Sequence, residues 1–284
     1  MSAAGRYLPN METPLVSVIM AARNVAPFVG VAIQSVLEQT YKNWELWVVE
    51  NDSSDATGVI ISSYPDSRIH HLTTSVSGLC NARNMALDQC KGEFVCFLDA
   101  DDRLPARSLE WRVAHFQLHP EVMFVDGIVV TFTSDFASIR RIWKPDFEGL
   151  PLHELGRINP RCFCAITWMI RRSPNYALQF DTNWSYLEDR VFFLSIASRG
   201  KYSYVNEEIY HIRRRPDSLM ADHENMEKSF VQFLELVQAR HLLSPKEWAK
   251  ELCYFHRMFA KIYARQMKWR LAGQHFIRSF YVRM

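Results

Sequence analysis

The sequence has no uninterrupted apolar run of about 18 residues, so no transmembrane helix is expected from it. Its six cysteines (Cys80, Cys90, Cys96, Cys162, Cys164 and Cys253) show no paired Cys-x-x-Cys spacing and lie mostly inside apolar or helical patterns. They fit buried thiols in a reducing, cytoplasmic compartment better than a disulfide frame or a zinc site. Strong net charge is also lacking, at +2, and so is any recognised nucleic-acid-binding motif, so no nucleic acid partner is expected. There is no internal repeat and no low-complexity segment. With 284 residues, 48% of them hydrophobic, disorder is excluded as a description of the whole. Residues 1–13, with Gly5 and Pro9 and no long apolar core, read as a loose leader and not a signal peptide.

What is present is an alternation of apolar β-rich runs and helix-face patterns. Strands are predicted over 16–21, 44–50, 69–73 and 94–98, with helices after residue 25, through Ile60 and Ile61, and over 78–90. This spacing implies βαβ crossovers and a largely parallel sheet. Beyond it the pattern predicts a helix over 108–119, strands over 122–132 and 164–171, a helix over 184–198 and short strands over 202–205 and 208–213. Residues 134–160, interrupted by Pro145 and Pro151, read as a long loop with one short helix, and residue 222 onward as mainly helical.

The strand over 94–98 stops at three carboxylates, Asp99, Asp101 and Asp102. Several hard oxygen ligands at the carboxyl edge of a sheet suit a divalent cation held against a phosphate, at the place where open α/β sheets bind ligands. An acidic turn capping the next helix is the plainer reading of Asp-x-Asp alone.

The surroundings separate the two readings. Segments 16–24, 48–55, 78–84, 92–102, Glu188-Asp189 and 210–218, in that order, resemble the signature of family 2 inverting glycosyltransferases of the GT-A fold over roughly residues 14–220. The resemblance implies a catalytic domain over 14–221, made of a nucleotide-binding half (14–103) and an acceptor half (104–221), followed by a helical region over 222–284. It implies a nucleotide-sugar donor, with uridine bound at Ala21, Ala22, Arg23 and Asp52. Asp52 can accept from the uracil imide N–H, a donor cytosine lacks; its structural alternative is to cap the following helix. Arg83 is expected near the donor phosphates, or paired with a carboxylate. Asp99 and Ala100 fall on the ribose side, and Asp101 and Asp102, at an exposed strand end, on Mn²⁺ or Mg²⁺, with His211 as a further candidate ligand. Arg213, Arg215 and Ser218 match a loop that closes over the diphosphate. Asp189 matches the general base, with Glu188 orienting it or binding the acceptor, a hydroxyl of a glycan or lipid-linked saccharide in surface polysaccharide synthesis.

Two alternatives use the same architecture. A sugar-nucleotide pyrophosphorylase needs a Gly-rich phosphate loop after the first strand, and residues 21–25 are not one; a catalytically silent glycan-binding scaffold has no need of all five acids. The last stretch differs from the rest in charge: residues 244–284 hold nine Lys and Arg against two Glu, interleaved with aromatics. It suits either docking on an anionic inner membrane face or packing its aromatics on the catalytic domain.

Overall fold

The computed structural model describes residues 13–215 and 222–281, the last two by backbone alone. Almost all of the expected leader, and Ser218, lie outside the described residues. Strands β1 (Val16–Ala22), β2 (Trp44–Asn51), β3 (Ile69–Thr74) and β4 (Phe94–Phe97) pair in parallel in the order β3-β2-β1-β4. Helices α1 (Ala26–Leu37), α2 (Thr57–Ser62) and α3 (Leu79–Gln89) connect them. Both faces of β1 and β4 are covered, which is why these strands read as apolar runs without alternation. The buried Ser17 hydroxyl donates to Glu45 and accepts from the Gly92 N–H, tying together the starts of β1, β2 and β4.

Past β4 and helix α4 (Ser108–Leu118) the sheet changes character. Strand β5 (Val122–Phe132) pairs antiparallel with β6 (Ile139–Trp143) and with β7 (Met169–Arg171), β7 pairs antiparallel with β4, and β8 (Lys201–Arg213) runs parallel to β5. The sheet is therefore mixed, where the strand–helix alternation alone predicts a largely parallel one. Part of the predicted loop over 134–160 is strand β6, which alternation cannot reveal because four of its five residues are exposed. The strand predicted over 164–171 shrinks to β7, and the two short strands after residue 201 are one strand, β8, with register shifts against β5.

Alternate residues of the central strands feed two cores. Val16, Val18 and Met20 face one, with α1 and α4; Ile19, Val95 and Phe97 face the other, with α3 and helix α6 (Glu188–Ile196). The second core continues into helix α7 (His223–Ala239) through Phe233 and Val237. A third cluster joins Ile158, beyond the short helix α5 (Leu152–Leu155), to Met226 and Phe230 of α7 and Phe255, Phe259 and Tyr263 of α8 (Pro245–Arg265). A further helix, α9 (Trp269–Tyr281), lies against α8. Ser244 and Glu247 form a reciprocal capping box at the start of α8, the local reason the helix begins there. No helix among the described residues is long and apolar enough to cross a membrane, and all six cysteines are free thiols, five of them buried.

Candidate active site

The parallel strands β1, β2 and β4 end on one edge, and the loops that leave it carry the candidate donor residues. Ala21 and Ala22 close β1. Arg23 donates to the Ser77 hydroxyl, and Asn24 exchanges hydrogen bonds with Ser53 and Ser54, so the loops after β1, β2 and β3 meet there. Asp52 follows β2 in the left-handed region (φ 52°), which Asp tolerates better than most residues. Asp52 is not the cap of the following helix: Asp55 accepts from the N–H and hydroxyl of Thr57 and from the Ala26 N–H. The structural alternative for Asp52 thus falls away, and Asp52 stands exposed in the loop after β2.

The acidic cluster is less uniform than the sequence suggests. The side chains of Asp99 and Asp101 remain partly in solvent, but Asp102 is 5% exposed. Its carboxylate accepts from the Arg213 N–H (2.7 Å) and from the Tyr210 hydroxyl, which in turn accepts from the Asp99 N–H (2.9 Å). The expectation that Asp102 sits at an exposed strand end is therefore corrected: it also anchors the end of β8. Burial, with the charges of Asp99 and Asp101, holds its pKa well above the ordinary carboxylate range, and burial and Asp99 also raise that of Asp101. Asp101 and Asp102, both with raised proton affinity, form a site short of positive charge, and they supply hard oxygen donors, so they fit Mn²⁺ or Mg²⁺. Among the described residues no group of three or more His, Cys, Asp and Glu is arranged to hold an ion alone. An ion bound by one or two carboxylates takes its other ligands from diphosphate oxygens and water.

Around this cluster the structure gathers cations. Arg215 pairs with Asp101 (3.2 Å), while the Arg213 side chain donates to the Asp101 carbonyl (2.7 Å) and to the Ser134 carbonyl and lies over the rings of Phe28 and Phe136. His211 is not brought to the aspartates. Its ring nitrogens meet Arg103 Nε (3.2 Å) and Glu208 (2.9 Å), and its ring packs on Phe132. Side chains alternate along a strand, so with Tyr210 turned to the aspartates its neighbour His211 turns away, and the candidate ligand is withdrawn.

Glu188 and Asp189 come from the other core. The helix predicted over 184–198 starts only at Glu188, because Leu187 adopts a left-handed conformation (φ 60°) and residues 181–184 form a turn. Both acids therefore occupy the first turn of α6, where free backbone N–H groups favour negative charge. The segment before α6 is pinned to α3: Asn84 exchanges two hydrogen bonds with the backbone of Phe180, and the Cys80 thiol meets the Trp184 carbonyl. Arg83, one residue from Asn84, is 3% exposed and bridges Glu188 (3.0 Å) and Asp99 (2.9 Å). The sequence alternatives for Arg83 were donor phosphates or a carboxylate; here it holds two carboxylates, one from each half. Burial and the Glu188 charge push the Asp189 pKa up to about 7, against the pull of Arg83 and the Arg190 N–H.

Replacing Arg83 with Gln is expected to move the lower limb of the kcat/KM–pH profile upward by about one pH unit, since a nearby guanidinium lowers a carboxylate's pKa by that order. Arg83→Lys should move it less. A uniform loss of activity with the profile unmoved would make Arg83 a structural bridge only.

A mixed sheet flanked by helices, with the candidate donor loops and the acidic cluster at one edge, is the arrangement of the GT-A fold. The chain belongs to glycosyl transferase family 2, whose profile matches residues 17–178. Over 118 residues it is 42% identical to the UDP-Glc:alpha-D-GlcNAc-diphosphoundecaprenol beta-1,3-glucosyltransferase WfgD of Escherichia coli, a match covering 41% of this chain and 46% of that one. The matches to the first curated relatives span less than half of those proteins' length. Among solved structures, S. aureus TarS 1–349 in complex with UDP-GlcNAc superposes with a TM-score of 0.63 at 18% identity, over 94% of this chain and 91% of that one. The mannosyltransferase PcManGT of Pyrobaculum calidifontis, in complex with GDP-Man and Mn²⁺, gives 0.60 at 21% identity, over 94% and 75%.

Tyr210 was missed from sequence as a site residue. Its signal was period-two alternation next to His211, readable only once residues 208–213 are known to form a strand beside the aspartates.

Proposed function

We propose that this chain is an inverting, metal-dependent glycosyltransferase that moves a hexosyl or N-acetylhexosaminyl group from a UDP-sugar to a hydroxyl of a glycan or lipid-linked saccharide in surface polysaccharide synthesis. The observation that carries it is the Arg83 bridge, which sets a base with a pKa near 7 across from Asp99 and the acidic cluster. The uridine donor is supported by the exposed Asp52, which has no capping duty, and by the likeness to WfgD, a transferase of glucose from UDP-Glc.

The reaction is a single displacement. Asp189 takes the proton of the acceptor hydroxyl, whose oxygen attacks the anomeric carbon from the face opposite the diphosphate. The bond from that carbon to the diphosphate oxygen breaks, its electron pair leaves with the nucleoside diphosphate, and the configuration inverts. Asp101 and Asp102 would hold the divalent cation, which when bound neutralises charge growing on the leaving diphosphate. Arg213 and Arg215, beside Asp101, add positive charge to the same oxygens. Glu188, fixed by Arg83, orients the acceptor side. The place of work is the inner face of the cell membrane, where lipid-linked saccharides present their sugars.

The test is release of UDP from UDP-glucose and UDP-N-acetylglucosamine with Mn²⁺, Mg²⁺ or EDTA, alongside thermal shift with the same ligands. Metal-dependent UDP release and a donor-induced rise in melting temperature are expected. Donor binding with no turnover on any glycan or lipid-linked acceptor would favour the silent scaffold. Turnover only with a nucleoside triphosphate and a sugar phosphate would favour the pyrophosphorylase.

A further inference from the structure

Helix α9 buries one face against α8 and leaves large apolar side chains exposed on another. Ala272, His275 and Ser279 are buried against α8, where His275 meets His256 (3.0 Å) and the Ser279 carbonyl meets Cys253. A second stripe, Trp269, Gly273, Phe276 and Ile277 at i, i+4, i+7 and i+8, faces outward. Trp269 is 65%, Phe276 57% and Ile277 56% exposed, Met267 just ahead is 74% exposed, and a Cβ on Gly273 would meet nothing within 4 Å.

The charge that α8 and α9 themselves expose is one-sided, apart from Lys268, which pairs with the exposed Glu224 of α7, and the fold makes it so. Both acids of α8 turn inward: Glu247 to Arg157 and His153, Glu251 to Arg157 and the Ile158 N–H. All eight Lys and Arg between residues 244 and 281 are exposed, while neither glutamate is. The sequence alternatives for this tail thus divide by residue: Phe255, Phe259 and Tyr263 are buried in the third cluster, whereas Trp269, Phe276 and Ile277 are exposed.

We infer that the outer face of α9 is a docking surface for an anionic phospholipid bilayer, with Trp269, Phe276 and Ile277 at the headgroup level and Arg270 and Arg278 on the lipid phosphates. Amphipathic aromatic and aliphatic side chains flanked by cations match an anionic interface. A second copy of the chain is the poorer occupant, because a symmetric contact through this face sets two cationic surfaces against each other. The position of the face adds a reason. Lys268 pairs with Glu224 in the first turn of α7 (2.6 Å), and Asp222, two residues earlier, accepts from the Tyr186 hydroxyl (3.2 Å), three residues before Asp189. The start of α9 is therefore linked, through the first turn of α7, to the segment that carries the proposed base. The inference rests on the proposed transferase reading only for this last point.

The test is co-sedimentation of the full chain with phosphatidylglycerol–phosphatidylcholine vesicles and with pure phosphatidylcholine, at low and high salt, without donor. Sedimentation with the anionic vesicles is expected, weakened but not abolished by salt. The Arg270→Gln, Arg278→Gln double variant should bind roughly 25-fold more weakly, about fivefold per cation. Trp269→Ser with Ile277→Ser should remove the salt-resistant part, and all variants should keep the parent's melting temperature and its UDP release from donor. Absence of lipid-dependent sedimentation at low salt, or variants that sediment like the parent, would overturn the inference. So would a dimer in light scattering that Trp269→Ser and Ile277→Ser dissociate. Because the assay needs no turnover, vesicle binding can fail while transferase activity stands, and the reverse.

Discussion

Asp189→Asn should retain donor affinity and lose on the order of 10² to 10⁴ in turnover, the usual worth of a positioned base. The amide keeps an oxygen for the Arg190 N–H, so the first turn of α6 is preserved while its proton acceptor is removed. In the parent, kcat/KM should rise with pH through about 7 and level above it, because only the carboxylate form can take the hydroxyl proton. The same group acts on stability in the opposite direction. Its pKa is raised in the folded state, so the native protein holds a proton that the unfolded chain gives up near 3.9, and stability is lost as pH rises from there to about 7. The Asn variant should therefore melt higher than the parent above pH 7 and show a flatter pH dependence below it. Donor titration, single-turnover kinetics and melting curves across pH 5 to about 9 check these outcomes. Equal loss of donor binding and turnover would place Asp189 in the structure and not in the chemistry.

The second large effect is expected at Asp102, where stability and donor binding should move apart. Asp102→Asn keeps a carbonyl oxygen for the Arg213 N–H and removes a buried charge that Asp99 and Asp101 oppose. The folded-state pKa of Asp102 is raised, so in the parent stability falls as pH climbs past the unfolded value, and the loss persists at neutral pH. The variant should melt higher at pH 7.5 while Mn²⁺-dependent donor affinity falls at least 10-fold, since even outer-shell changes at metal sites cost 10- to 100-fold. Functional sites commonly trade stability in this way. A lower melting temperature, or donor binding that stays equally metal-dependent, would show Asp102 to be an anchor for β8 and nothing more.

Most of the first hundred residues were legible because burial on both faces leaves a plain record, apolar runs ended by turn residues. The acidic cluster was legible for the same reason, as carboxylates that abruptly end such a run. Less legible were features set by partners distant in sequence. Nothing near Asp102 announces that Tyr210 and Arg213, more than 100 positions away, will bury it. The Arg83 bridge needs Asp99, past the end of β4, and Glu188, at the start of α6, brought to one residue of α3. Helix α6 was drawn too long because Trp184 and Leu187 continue its apolar pattern, while the left-handed turn at Leu187 has no signature in residue type. The His211 assignment failed for want of strand phase: Tyr210 and His211 look equally available until β8 is laid beside the aspartates.

Arg190 follows Asp189 directly in the chain but points into the scaffold. Its buried guanidinium, its pKa pushed down to about 10 by desolvation, donates to the carbonyls of Leu155 and Ile158 and lies over the Phe233 ring of α7. Ile158 in turn donates its N–H to the Glu251 carboxylate of α8. The boundary at residue 222, where the family resemblance ends, is thus crossed by packed and hydrogen-bonded contacts. The three terminal helices are fastened to the residue next to the proposed base, so they are not an exchangeable module. A chimera that kept residues 14–221 and took its last helices from a relative would inherit a mismatched socket behind its own catalytic centre. Recombination within such a lineage would succeed only where the crossover carried the helices, the 152–158 segment and α6 together.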